Sequence, residues 1–177
     1  MASVLAVSSS PHVHSPLEST TSEFHRRLGE SDYDVGVLRL RDLPQSALLA
    51  GNSGHPEIGW SHRLLGRAQA VVFVLPTYEP GGSAVLREWL RLLPDRAFAG
   101  KVLQLIGIGL VRSHAIGLEH TRTLLINTHA PDSALPACFL YRHWFEEPAP
   151  VTADDRLTAA AESLRAELER TAALPAA

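Results

Sequence analysis

Six consecutive apolar residues, Ala70-Val71-Val72-Phe73-Val74-Leu75, constrain this chain more than any other feature. A run of that length, rich in β-branched residues, reads as a strand buried on both faces. Such strands belong to parallel sheets covered by helices on each side. Other segments follow the same plan. Residues 4–7 form a short apolar run ended by Ser8-Ser9-Ser10-Pro11. Residues 33–40 alternate loosely and read as strand two. Residues 102–106 read as strand four, with Gly107-Ile108-Gly109 as the turn after it, and residues 134–141 as strand five.

Helical spacing fills the intervals. Leu17, Thr21, Phe24 and Leu28 recur at helical period, with Gly29 as a stop. A short helix is expected over 62–67. Ser83 can cap a helix that runs to Leu93, and another runs from Ser113 or His114 to about Asn127. Residues 152–173 form a closing helix, with Leu157, Ala161, Leu164 and Leu168 as its apolar stripe. Thr152 is its expected N-cap, and Asp154 and Asp155 stand where the helix dipole favours negative charge. Residues 42–60 read as irregular, with Pro44, Gly51, Asn52, Gly54 and Pro56; a loop this long is often functional or part of an interface.

Strand and helix therefore alternate throughout, which predicts a three-layer α/β sandwich. The expectation is one domain over 1–177, with a disordered tail from about 172. Right-handed crossovers and a short first unit fit a five-stranded parallel sheet of order 2-1-3-4-5. In such sheets ligands bind at the carboxyl ends of the strands, near the switch between strands one and three. Attention falls on the loops at 8–18, 76–82 and 107–114.

Composition excludes several classes. Hydrophobic residues make up 45% and charged residues 20% of the 177, which is ordinary for a folded core. A net charge of −3 gives no footprint for nucleic acid or anionic membrane. Cys138 is the only cysteine, so an internal disulfide and a cysteine-based zinc site are ruled out; in its apolar run it reads as a small core residue. His12 and His14 could share a face of an extended loop, but no third metal ligand stands at a sensible spacing. Residues 1–7 are too short for a signal segment, and no run approaches the roughly 20 apolar residues of a membrane span. A cytoplasmic location is the expectation.

Three stretches carry a resemblance to a known family. Residues 68–78, Ala-Gln-Ala-Val-Val-Phe-Val-Leu-Pro-Thr-Tyr, end in Pro-x-Tyr. Ser83-Ala84-Val85-Leu86-Arg87 has the form small-x-x-Leu-basic at a helix start. Residues 92–102, Leu-Leu-Pro-Asp-Arg-Ala-Phe-Ala-Gly-Lys-Val, lead into strand four. Together they resemble the NADPH-dependent FMN reductases, which are flavodoxin-like, and most closely the branch that feeds reduced flavin to two-component alkanesulfonate monooxygenases. The resemblance covers about residues 2–145. It implies FMN and NAD(P)H as cofactor and reductant, and a homodimer or homotetramer. It also implies a flavin site of Ser10, His12 and Ser15 for the phosphate, and Pro76, Thr77, Tyr78 and Glu79 for the ring and ribityl chain. Gly107, Ile108 and Gly109 would border the ring. His114 matches a family histidine at the next helix start, and His120 falls at an interface or substrate-side position.

Two loops depart from the family pattern. After strand four the family carries Thr-Gly-Gly, where this chain has Ile108, Gly109 and Leu110. In the first loop the family's Gly-Ser-x-Arg-x-x-Ser becomes Ser9-Ser10-Pro11-His12-Val13-His14-Ser15. An imidazole lacks the permanent forked charge of a guanidinium. Ser15-Pro16-Leu17-Glu18 reads as a capping box, whose carboxylate would compete with a phosphate for the free N–H groups of the helix start. A one-residue insertion would instead bring Ser19 and Thr20 onto the family's phosphate serines, with Glu23-Phe24 matching its Glu-Tyr. Two functions stand open: an NAD(P)H:FMN oxidoreductase that supplies a monooxygenase, or a flavodoxin-like protein with a degenerate flavin site, serving as a non-redox accessory subunit or an enzyme for another ligand. A flavodoxin-type electron carrier is a third reading; its tight phosphate binding is not promised by this loop.

Overall fold

The computed structural model describes residues 2–30, 33–78, 83–145 and 151–173, with the backbone alone for 151 and 152. The apolar run at 70–75 is the centre of the sheet. It forms β3 (Ala70–Pro76), whose first six residues are all buried. On one side β3 pairs in parallel with β1 (Ser3–Ser8), which pairs in turn with β2 (Asp34–Arg39). On the other side lies β4 (Val102–Gly109). The edge beyond β4 is one interrupted strand, β5 (Ser133–Ala134) and β6 (Cys138–Tyr141), both parallel to β4. The strand order is β2-β1-β3-β4-β5, the flavodoxin-like order 2-1-3-4-5 expected for this chain.

Side-chain alternation sends successive residues to opposite faces of the sheet. Val4, Val72, Val74, Ile106 and Leu140 face one core, closed by Phe24 and Leu28 of α1 (Pro16–Gly29) and Leu157 and Leu164 of α6 (Val151–Ala172). Leu5, Val7, Phe73 and Leu105 face the other. That core is closed by Leu48 of α2 (Gln45–Leu49), Ile58 and Leu65 of α3 (Pro56–Arg67), Trp89 of α4 (Ala84–Arg91) and Leu118 of α5 (Ser113–His129). Among the described residues no helix is long and apolar enough to cross a membrane.

The structure corrects the sequence reading in five places. The segment at 42–60 is not irregular: it holds α2, and α3 begins at Pro56 and not at 62. Proline at the first helical position needs no N–H donor, and the His55 ring nitrogen accepts from the Glu57 N–H, so the punctuation that reads as loop starts a helix. Gly107-Ile108-Gly109 is not a turn but the last part of β4, paired with Leu75 and Pro76 on one side and residues 139–141 on the other. Strand five is broken at residues 135–137, where Pro136 has no N–H to give. Between Leu103↔Ala134 and Ile106↔Cys138 the edge strand uses one residue more than β4, a bulge. Thr152 lies inside α6, which starts at Val151, so it is not the cap. Gly29 is the last residue of α1; the chain ends the helix on Glu30. Of the tail expected to be disordered, residues 174–177 lie outside the described residues.

Candidate functional site

A cleft of about 470 Å³ opens at the carboxyl ends of β1, β3 and β4. Its floor and walls come from three places that the strand order brings together. The loop after β1 contributes Ser10, His12 and Ser15, with Pro16 and Leu17 from the start of α1. The end of β3 contributes Pro76 and Tyr78, with Ser83 and Ala84 opposite. Ile108 of β4 and Arg142, just past β6, complete it. One end is polar and begins a helix; the other is apolar.

Ser15 caps α1: its side-chain oxygen accepts the Glu18 N–H at 3.2 Å. Ser10, almost fully buried, shares a 2.7 Å hydrogen bond with Ser15 and donates to the His12 carbonyl at 2.9 Å. Ser9 is also buried, and its hydroxyl has no hydrogen-bond partner among the described residues. Ser10 and Ser15 line the cleft, whereas Ser19 and Thr20 stand further along α1 and do not.

Glu18 behaves differently from a capping-box carboxylate. It does not reach back to the helix donors. One oxygen accepts from the Ser8 hydroxyl at 2.5 Å and from Arg41 at 2.8 Å, and the other accepts from Arg39 at 2.9 Å. Burial alone would raise its pKa; the hydrogen bonds from Arg41, Ser8 and Arg39 outweigh this and hold the carboxyl below its ordinary value. Arg41 also lies 3.6 Å from Asp42 and donates to the His12 carbonyl at 3.3 Å. Two guanidiniums thus balance two carboxylates on the flank of the loop. The carboxylate expected to compete with a phosphate for the helix donors is instead engaged by Ser8, Arg39 and Arg41, and the loop is tied to the end of β2.

At the other end, Tyr78 is half exposed, with the His114 ring edge-on at 5.8 Å. His114 is itself fixed, its Nδ1 accepting the Leu110 N–H at 3.2 Å. Thr77 does not line the cleft: it is buried, and its N–H and hydroxyl both donate to the Ile108 carbonyl at 3.1 Å. Gly107 and Gly109, expected to border a ring, are likewise buried in β4. A Cβ on Gly107 would stand 2.5 Å from Thr77 and 2.6 Å from Leu118, and one on Gly109 would stand 2.4 Å from Thr77 and 2.7 Å from Phe139. Close packing beneath the cleft accounts for both glycines. Ile108, between them, does line it. His120 is exposed on α5 and not part of the cleft, and Glu79 lies outside the described residues. Sequence reasoning missed Arg39, Arg41 and Arg142. The rule that sites collect at carboxyl ends of strands, applied to the last strand, points to Arg142.

A parallel 2-1-3-4-5 sheet with such a cleft at its switch point defines the class as flavodoxin-like. Residues 2–137 match the family described as NADPH-dependent FMN reductase. The chain belongs to that family of flavin oxidoreductases, whose members use FMN and NADPH. It is 23% identical over 136 residues to an FMN reductase (NADPH) of Pseudomonas putida, taking in 77% of this chain and 69% of that one. With an FMN reductase (NADPH) of Escherichia coli it shares 25% over 117 residues, 66% of this chain and 61% of that one. Its fold is similar to the apo form of an NADH:FMN oxidoreductase, with a TM-score of 0.86, 20% identity, and coverage of 94% and 90%. A streptococcal flavodoxin gives a TM-score of 0.65 at 18% identity, with 94% and 99% covered.

Proposed function

We propose that this chain is an NAD(P)H-dependent FMN reductase that hands reduced flavin to a flavin-dependent monooxygenase. The observation that carries the reading is the composition of the cleft at the carboxyl ends of β1, β3 and β4. Its polar end joins Ser10, Ser15 and the start of α1, where hydroxyls and helix N–H groups suit a phosphate ester. Its apolar end joins Pro76, Tyr78 and Ile108, which suit a flat ring. A volume near 470 Å³ is within the range of small-molecule sites. FMN, when bound, supplies the hydride-accepting ring. The chain's own residues orient it: Ser10 and Ser15 hold the phosphate end, Tyr78 packs beside the ring from its seat on His114, and Ile108 forms an apolar floor. Thr77, Gly107 and Gly109 hold that floor in place from beneath.

Purified protein should oxidise NADPH or NADH when FMN is added, followed by loss of nicotinamide absorbance. Absence of turnover with either nucleotide at saturating FMN refutes the reading. After anaerobic reduction, the flavin should separate from the protein on gel filtration, as hand-over to a partner requires. Retention on the protein would favour an electron carrier.

One observation favours the second reading, an accessory protein that no longer takes flavin. The hydroxyls of Ser10 and Ser15 are already bonded to each other, and Ser10 to the His12 carbonyl, so the loop satisfies itself. An absorbance titration with FMN decides between the two.

The proposal includes a symmetric oligomer. Ile116, His120 and Leu124 recur every four residues along an exposed face of α5, with Leu110 and Val111 exposed at its start. Sedimentation that shows only a 19.2 kDa species would remove this part.

A further inference from the structure

The cleft has a phosphate-shaped end but no arginine in its loop, since His12 stands where the family's forked cation would be. The guanidiniums beside the loop, Arg39 and Arg41, are held by Glu18 at 2.9 and 2.8 Å, and neither lines the cleft. A dianion entering beside Ser10 and Ser15 therefore needs its charge met from elsewhere. Arg142 lines the same cleft as Ser15, Pro16 and Leu17. It directly follows β6, whose Leu140 pairs with Ile108 and packs in the core that also holds Leu17 of α1. It is exposed, and among the described residues its side chain makes no ion pair and no hydrogen bond. It is the one arginine or lysine on the cleft wall among the described residues, and nothing there competes for it.

From this placement we propose that Arg142 is the phosphate-binding cation of the cleft, reaching from the end of the last strand to the flavin's phosphate ester and replacing the missing loop arginine. The proposal rests on the flavin reading above. The interaction is a charge-assisted hydrogen bond between guanidinium and phosphate oxygens, bidentate where geometry allows. It makes the cleft select FMN over riboflavin by a residue some 130 positions away from the loop that holds the rest of the phosphate site. An arginine on a mobile stem also suits a flavin that must leave after reduction, because its bond to phosphate can be exchanged for water.

The test is fluorescence titration of FMN and of riboflavin into the full-length wild type, Arg142→Ala and Arg142→Lys, with NADPH and NADH KM values measured alongside. Arg142→Ala should weaken FMN about tenfold or more while changing riboflavin less than about twofold. Arg142→Lys should recover part of the loss, and the salt dependence of FMN binding should flatten in the alanine variant. Equal losses for both flavins would make Arg142 a ring contact and overturn the proposal. Unchanged FMN binding with a raised KM for NADPH but not NADH would overturn it in favour of the nicotinamide nucleotide's extra phosphate. Wild type that binds neither flavin would defeat the flavin reading itself, and the proposal with it. Wild type that binds both flavins equally would defeat the proposal alone.

Discussion

Replacing Glu18 by glutamine tests whether the flank of the cleft is held by charge. The carboxylate has only 10% of its side chain exposed and takes three donors, from Ser8, Arg39 and Arg41. Glutamine keeps the shape and one acceptor but turns an NH₂ group toward a guanidinium. Removing one partner of a fully buried pair costs about 3–5 kcal/mol. Here the cost is smaller. Arg39 keeps 36% of its side chain in water, and Arg41 retains Asp42 as a neighbour. Discounting for that screening leaves about 2–3 kcal/mol. In a domain of this size each kcal/mol moves the melting temperature by about 2–4 °C, so Glu18→Gln should melt roughly 5–10 °C lower.

The pH dependence has a definite sign. The folded-state pKa of Glu18 lies below its ordinary value of 4.5. A depressed carboxylate contributes stability that is present in full above the unfolded value and lost as pH falls through the folded one. The gap between wild type and Glu18→Gln should therefore be constant near neutrality and shrink below about pH 4.5. Urea denaturation followed by circular dichroism at several pH values measures it. A gap under about 0.5 kcal/mol at neutral pH, or one that does not shrink in acid, would refute the account of Glu18 as a charge-paired anchor.

Three further outcomes follow from the same structure. Gly109→Ala would press a methyl against Thr77, Phe139 and His114 and should destabilise the fold by about 1–3 kcal/mol, read by denaturant melts. Cys138 is half-buried and its thiol is pushed up to about 11 by burial, so it should react with a disulfide reagent at neutral pH at least about tenfold more slowly than free cysteine until the chain unfolds. Tyr78→Ala should raise the flavin KM several-fold, since one aromatic contact is worth on the order of 1 kcal/mol.

The sheet was legible because its strands are apolar runs with nowhere else to go. Residues 70–75 cannot be exposed on either face, and that alone demands helices on both sides. The start of α3 was hidden for two local reasons. Gly54 and Pro56 carry the marks of a loop, yet proline also opens helices. The buried face of α3 includes Ser61, whose hydroxyl accepts the Trp89 indole N–H at 2.9 Å, so its apolar period is interrupted by a residue that is polar and still internal. Gly107 and Gly109 misled for a related reason. Glycine marks turns, but it also marks strands where other side chains crowd in, and the crowding comes from Thr77, Leu118 and Phe139, distant in sequence.

The same division runs through the site. Ser10, Ser15 and Tyr78 could be named in advance because the family resemblance picks them out of loops that the strand order turns toward one edge. Arg39 and Arg41 could not, because their roles depend on register. Ser8 of β1 sits opposite Arg39 of β2. That pairing brings a hydroxyl and a guanidinium to one carboxylate, and it makes Glu18 a partner of β2 instead of a cap for α1. A carboxylate that looks hostile to phosphate in the linear sequence is thereby paired, and the arginines that pair it lie outside the cleft lining. Arg142 gains its significance from that subtraction. An arginine after the last strand that has no ion pair among the described residues is ordinary by itself; on the wall of a polar cleft that Arg39 and Arg41 do not line, it becomes the candidate cation for an anionic ligand.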